Sequence, residues 1–289
     1  MKIAIIGGSG KMGRWFTDFL VKEGMEVIIT GRNQAKLQAA GQQLGVEVAG
    51  NIDAVKQADV ILTSVPIDDF EESIQQIAPH IRPEQVVIDI TSIKESPVEM
   101  MHKHIKRGQM LGVHPMFGPG ARDITNQNFI LTPTNEEENA LARKVRGYLE
   151  TRGARVTLVT PRQHDEMMSV VLGLAHFIAL VSADTLLSLN KATALRAVSG
   201  STYKLLLTLA ESVIAEDPEF CAALQMKLPD RDKVNRLLQS RLAEWSDIVA
   251  NRDRQKFTQK MKALRHGFEK DDPELAKAYE NMYKLIEGL

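Results

Sequence analysis

One imidazole stands in the stretch Gly112-Val113-His114-Pro115-Met116-Phe117-Gly118-Pro119-Gly120, among residues that fix or free a backbone. Proline lacks a backbone donor and glycine admits positive φ, so the stretch reads as a rigid loop rather than a regular element. A short apolar strand, Met110 to Val113, leads into it, and Met116 and Phe117 read as packing beneath it. Histidine has an ordinary pKa of ~6.5, so its neutral form can accept a hydroxyl proton at physiological pH. His114 is therefore the candidate catalytic base. Ser92 follows the apolar run Gln85-Val86-Val87-Ile88-Asp89-Ile90 and is expected at the same sheet edge, to orient the imidazole or bond the same hydroxyl.

The second chemical signal is Gly8-Ser9-Gly10-Lys11-Met12-Gly13, a G-x-G-x-x-G between an apolar run and a helix-like segment. There the first glycine permits a tight turn, the second lets backbone amides approach a pyrophosphate, and the third lets helix pack on strand. The pattern is weak by itself, but in this context it marks a dinucleotide site, with Gly8, Ser9, Gly10, Lys11 and Met12 around the cofactor. The end of the second strand selects the dinucleotide. An acid there suits the ribose 2′-hydroxyl of NAD, whereas arginine accommodates a 2′-phosphate. This chain has Thr30-Gly31-Arg32-Asn33, so NADP is favoured, with NAD the alternative. Val65 and Pro66 after the fourth strand, and Thr91 after the fifth, complete the expected cofactor lining.

The other histidines invite plainer readings. His80, His102, His104 and His266 lie among charged residues and read as solvated, and His164 reads as a helix-start residue. His176 sits in an apolar helix, where a lone histidine is usually a satisfied core residue. His164 and His176 are separated by ~18 Å of helix rise and cannot share a metal, so no metal site is expected. The single cysteine, Cys221, excludes an intrachain disulfide and reads as a small buried hydrophobe. A net charge of -1 gives no general attraction to nucleic acid or an anionic membrane. The apolar stretch Val170 to Leu189 contains His176 and Asp184 and reads as a buried core helix rather than a membrane span.

The elements that must position these groups alternate. Strands are expected at 2–7, 26–30, 59–65, 85–90, 129–132 and 154–159, with helices at 13–23, 33–44 and 136–152 between them. This alternation predicts an α/β fold with a Rossmann-type, doubly wound parallel sheet. Past Thr160-Pro161 helical periodicity takes over. The expected organisation is a dinucleotide-binding domain over 1–160 and an all-α domain over 161–289.

Taken in order, the glycine turn, Asp89-Ile90-Thr91-Ser92-Ile93-Lys94, His114-Pro115-Met116-Phe117-Gly118-Pro119, His164-Asp165 and Ala175-His176-Phe177 resemble the prephenate dehydrogenase family. The resemblance spans about residues 1 to 220, and the histidine stretch is its most specific part. It implies oxidative decarboxylation of prephenate to 4-hydroxyphenylpyruvate in tyrosine biosynthesis, with hydride passing to NAD(P). By the family pattern His114 is the base, Ser92 assists it, and His176 lines the substrate pocket. Family members place an arginine for the ring carboxylate six residues before the proline of an Asp-Pro pair. Here that position is Ser212, so the cation is expected from Lys204, Arg122 or Arg196. Arogenate would use the same machinery. The resemblance also implies a cytoplasmic homodimer joined through the helical domain, and the end at Leu289 is read as leaving no regulatory module. The other readings are another NADP-dependent reductase of the superfamily and a non-catalytic NADP-sensing protein.

Overall fold

Continuous apolar runs have no polar face to offer water, so they enter a sheet covered on both sides. In the computed structural model, which describes residues 1–189 and 192–287, this yields Lys2–Ile6 (β1), Glu26–Ile29 (β2), Glu47–Val48 (β3), Val60–Thr63 (β4) and Val86–Asp89 (β5). Gln109–Pro115 (β6), Asn128–Leu131 (β7) and Arg155–Leu158 (β8) complete an eight-stranded sheet of order β3-β2-β1-β4-β5-β6-β7-β8. The first six strands are parallel, and the order reverses between β1 and β4, which opens a crevice at their carboxyl ends.

Two features depart from expectation. β7 runs antiparallel to β6, with β8 parallel to β7. The segment between β6 and β7 holds no helix, and without a crossover a returning strand must be antiparallel. The second departure is that Gly112 to Pro115 belong to β6 and not to a loop. Pairing of β6 with β5 ends at Gly112, beyond which Val113, His114 and Pro115 pair only with Leu131, Ile130 and Phe129 of β7. A proline is tolerated where one side of a strand needs no donor.

Helices cover both faces: Lys11–Lys22 (α1), Gln34–Leu44 (α2), Asn51–Gln57 (α3), Phe70–Ile77 (α4), Glu95–His104 (α5), Glu136–Glu150 (α6) and Pro161–Met168 (α7). Alternation along each strand sends Ile5 into one core with Phe16, Leu20, Leu37, Leu141 and Leu149. Ile6 goes into the other, with Phe70, Ile74, Ile77, Val98 and Met101.

The chain divides into compact units at Met1–Met168 and Ser169–Leu289. This division falls after α7, whose His164 and Asp165 bond into the first unit. The second unit is helical: a π-helical turn at Ser169–Leu174, then Ala175–Ser188 (α8), Ala192–Ala197 (α9), Ser201–Ile214 (α10), Pro218–Lys227 (α11), Arg231–Ala250 (α12), Arg254–Asp271 (α13) and Ala278–Glu287 (α14). Carbonyls in the π turn find side-chain donors: Arg231 donates to Ser169 O at 2.8 Å and Gln225 to Gly173 O at 3.0 Å. Cys221 is a free, buried thiol.

The buried-core reading of α8 is corrected. Ala179 is its buried residue, whereas Val181 is 46% and Leu187 73% exposed. Its apolar surface faces outward from its own unit and is available to something else. The run Pro161–Ser188 also has the length and mean hydropathy, 2.0, of a membrane span. Its first turns, however, carry His164 and Asp165, buried and hydrogen-bonded within the first unit.

Candidate active site

The glycine turn is shaped by contacts that leave no room for side chains. Gly7 has φ +86°, and a Cβ there would lie 2.3 Å from Ser64 O at the end of β4. A Cβ on Gly8 would lie 2.6 Å from Ile29 of β2, and one on Gly13 would lie 2.4 Å from Gly7 O. The turn is thus clamped between β2 and β4, beside Val65 and Pro66. It leads into α1, whose N-cap is Gly10 and whose first turn contains no acid. A helix N-terminus leaves its first N–H groups without intrahelical acceptors and carries partial positive charge. Among the described residues no side chain caps this end, and the first turn holds no acid, so the residues fit a dinucleotide pyrophosphate.

His114 lies on β6 at the same carboxyl edge and is buried. Its Nδ1 is 2.8 Å from His164 Nε2, and His164 Nδ1 is 2.6 Å from Asp165 Oδ1. Asp165 is held in turn by the α5 entrance, accepting Lys94 N–H at 2.7 Å on Oδ1 and Glu95 N–H at 2.9 Å on Oδ2. This chain of bonds assigns the protons. A carboxylate receiving backbone N–H groups is an acceptor, so His164 Nδ1–H donates to it and His164 Nε2 carries a lone pair. His114 must then donate from Nδ1, which leaves its Nε2 lone pair outward. Nε2 has no protein partner among the described residues and is the ring nitrogen that reaches solvent.

Burial pushes the His114 imidazole well below its ordinary pKa, and the charges of His164 and Lys94 act in the same direction. Burial also lowers His164, against the opposing pull of its Asp165 bond. Both rings are therefore held neutral. The cation that adds to the effect of burial is unusual: Lys94 is completely buried and ion-paired with Asp89, which is also completely buried. Burial draws the Lys94 ammonium down, with Asp89 opposing that shift.

Gly112 makes room for this lysine. A Cβ there would stand 2.4 Å from Thr132 Oγ1, 2.9 Å from Val98 and 3.2 Å from Lys94 Cδ. Gly118 and Gly120, by contrast, have open space and no positive φ. Gly112→Ala is expected to lose about 1–3 kcal/mol of stability in urea unfolding, whereas Gly118→Ala leaves it nearly unchanged.

The sequence-based residues separate as follows. Ser92 is half-buried and has no hydrogen-bond partner among the described residues; His164, not Ser92, orients the His114 ring. Thr91 is buried in its own turn, its hydroxyl donating to Ile93 O at 2.9 Å with Asp89 Oδ2 at 3.2 Å. Phe117 does pack: its ring lies 4.8 Å from Trp15 and 5.4 Å from Phe129, centroid to centroid. Trp15 also donates from Nε1 to Ala121 O at 2.6 Å, tying the segment after His114 to α1.

In the helical unit, His176 Nδ1 is buried without a partner among the described residues, and burial lowers the pKa of the ring. Lys204 is exposed on α10, Arg122 is exposed beside Asp123, and Arg196 is paired with Glu211. Ser212 is exposed and bonds back to Leu209 O at 2.9 Å. His164, Asp165, Lys94 and Asp89 were not singled out by spacing as parts of the site. The one signal for them was their presence in the segments that carry the family resemblance.

Comparison with known proteins gives the family. The family model described as prephenate dehydrogenase, nucleotide-binding domain, matches residues 16–158. The one described as prephenate dehydrogenase, dimerization domain, matches 160–263. The chain is 36% identical over 271 residues to the probable arogenate/prephenate dehydrogenase of Methanocaldococcus jannaschii, covering 92% of this chain and 61% of that protein. It is 28% identical to the T-protein of Haemophilus influenzae, covering 92% and 67% respectively. It therefore spans roughly three-fifths to two-thirds of the length of these curated relatives. The crystal structure of prephenate dehydrogenase from Aquifex aeolicus in complex with hydroxyphenyl propionate and NAD+ shares the fold, with TM-score 0.77 at 20% identity over 94% of this chain and 98% of that one. With both of its regions matched by that family's models, the chain belongs to the prephenate dehydrogenase family.

Proposed function

We propose that this protein oxidatively decarboxylates prephenate, or its amino counterpart arogenate, with hydride passing to a nicotinamide dinucleotide. The observation that carries this reading is the Asp165–His164–His114 chain, which presents a neutral imidazole nitrogen at the same carboxyl edge of the sheet as the glycine turn. Gly8, Ser9, Gly10, Lys11, Met12, Val65 and Pro66 would hold the dinucleotide, which supplies the hydride acceptor when bound. Arg32 is the group that would take a 2′-phosphate. His114 Nε2 accepts the proton of the ring hydroxyl as hydride leaves its carbon. His164 keeps the His114 Nδ1 proton in place, and Asp165 keeps that of His164. Loss of carbon dioxide restores aromaticity, so the chain has mainly to orient the substrate and take one proton.

His176, with a buried nitrogen lacking a partner among the described residues, is proposed to line the substrate pocket, and Ser92 to meet the same hydroxyl as His114. Lys204 and Arg122 are the proposed carboxylate cations, since Arg196 is engaged by Glu211. The exposed apolar surface of α8 is proposed to be covered by a second copy, in keeping with the dimerization-domain match. We place the enzyme in the cytoplasm, acting on a small molecule and on neither nucleic acid nor membrane.

The test is to incubate the protein with prephenate or arogenate and NAD or NADP, and to follow reduced nicotinamide. Turnover is expected with at least one pair, and turnover with none overturns the reading. His114→Asn should reduce kcat by about 10²–10⁴-fold while dinucleotide still binds. The pH profile gives a further check. His114 works when neutral and its pKa is lowered, so kcat/KM should stay flat through the ordinary imidazole range and fall only in more acid solution. Stability has the same sign. The unfolded chain takes up protons near pH ~6.5 that the folded histidines refuse, so stability is full above that value and declines as pH drops toward the lowered folded pKa.

A further inference from the structure

Arg32 is already engaged. Its two terminal nitrogens lie 2.9 and 2.5 Å from the two carboxylate oxygens of Asp69, a forked pair with strong directional preference. The partners come from opposite sides of the crevice: Arg32 follows β2, and Asp69 ends the short 3-10 turn Ile67–Asp69 after β4. Both strands flank β1, and neighbouring strands are ~4.8 Å apart, so the pair bridges roughly 10 Å across the carboxyl end of β1. The glycine turn emerges at that point. Asp69 is the anchored member, its side chain 28% exposed against 77% for Arg32.

The surroundings favour an anion. A Cβ on Gly31 would lie 2.6 Å from Ser9 Oγ, so Ser9 of the glycine turn stands at the same corner. Asn33 caps α2, whose first turn holds no acid. Asp69 is the carboxylate that faces Arg32 from across the crevice.

We infer that Asp69 is a specificity-determining residue for the ribose of the dinucleotide. It occupies the guanidinium that a 2′-phosphate needs, and its charge repels that dianion. To a 2′-hydroxyl it offers an acceptor, replacing from β4 the acid that is missing at the end of β2. Arg32 and Asp69 thus act in opposite senses, and the sequence signal for NADP is weakened by a residue far from it in the chain. The inference rests on the dinucleotide reading of the glycine turn.

The experiment is calorimetric titration of the full chain with 2′,5′-ADP and with 5′-AMP, for wild type, Asp69→Asn and Asp69→Ser. An exposed ion pair contributes up to about fivefold to an equilibrium, and removing like-charge repulsion adds to that. Both variants should therefore raise the affinity for 2′,5′-ADP relative to 5′-AMP by about tenfold. The kcat/KM ratio of NADP to NAD should rise in step. An unchanged or reduced ratio in both variants, with wild type binding either nucleotide, overturns the role of Asp69 alone. Failure of wild type to bind either one overturns the dinucleotide reading itself.

Discussion

Asp165→Asn is expected to lower kcat by about 10²–10⁴-fold while leaving dinucleotide affinity nearly intact. The change is nearly isosteric, so its effect lies in proton placement. Asp165 Oδ1 accepts from His164 Nδ1 and Lys94 N, and Oδ2 accepts from Glu95 N. With its oxygen on Glu95 N–H, the asparagine turns its NH₂ to the Oδ1 side, toward both Lys94 N–H and His164. His164 must then accept at Nδ1 and carry its proton on Nε2, where it becomes a donor to His114 Nδ1. The His114 proton is driven to Nε2, and the outward lone pair is lost. The base is present but in the wrong tautomer. Steady-state kinetics over pH separates this from simple misplacement: kcat should be low at every pH rather than shifted along the axis. A kcat within about threefold of wild type would show that the substitution leaves the His114 tautomer unchanged.

Lys94→Met should have the largest effect on stability. Lys94 and Asp89 are both completely buried and paired, and Asp89 also accepts Thr91 N–H at 2.8 Å. Removing one member leaves a carboxylate in a low-dielectric interior, which typically costs about 3–5 kcal/mol. For a unit of this size each kcal/mol lowers Tm by about 2–4 °C, so a fall of roughly 6–20 °C is expected in thermal unfolding. The double change Asp89→Leu with Lys94→Met should recover much of the loss, because a hydrophobic pair of similar volume removes both desolvation penalties. A double variant as unstable as the single one would contradict the assignment of the cost to an unpaired charge. Lys94 also presses the pKa of both histidines downward, so the single variant should move the acid limb of activity toward higher pH.

Much of the fold is legible in local pattern, since apolar runs of four to six residues separated by helical stretches leave few alternatives to a doubly wound sheet. The reversal at β7 is less so, because it depends on what the segment after Phe117 lacks rather than on anything it contains. His114 stands out because its neighbours are rare types. His164 does not: its neighbours are those of an ordinary helix start, and only the return of α7 to the entrance of α5 brings it 2.8 Å from His114. Asp69 is hidden for a similar reason. Nothing near Ile67 signals that its carboxylate meets Arg32, since that meeting is made by strand order. Glycine was the most misleading cue. Gly118 and Gly120 look indispensable and have room for a methyl group, whereas Gly112, inside a strand, has none.

The placement of His114 within β6, and not on the loop after it, bears on time. Loops reorder in nanoseconds to microseconds, whereas backbone inside a packed sheet opens only in rare excursions approaching global unfolding. His114 is paired with Ile130 across the ladder, so its backbone belongs to the slow class. The backbone that carries the imidazole is thus held over times longer than those on which a loop would rearrange it.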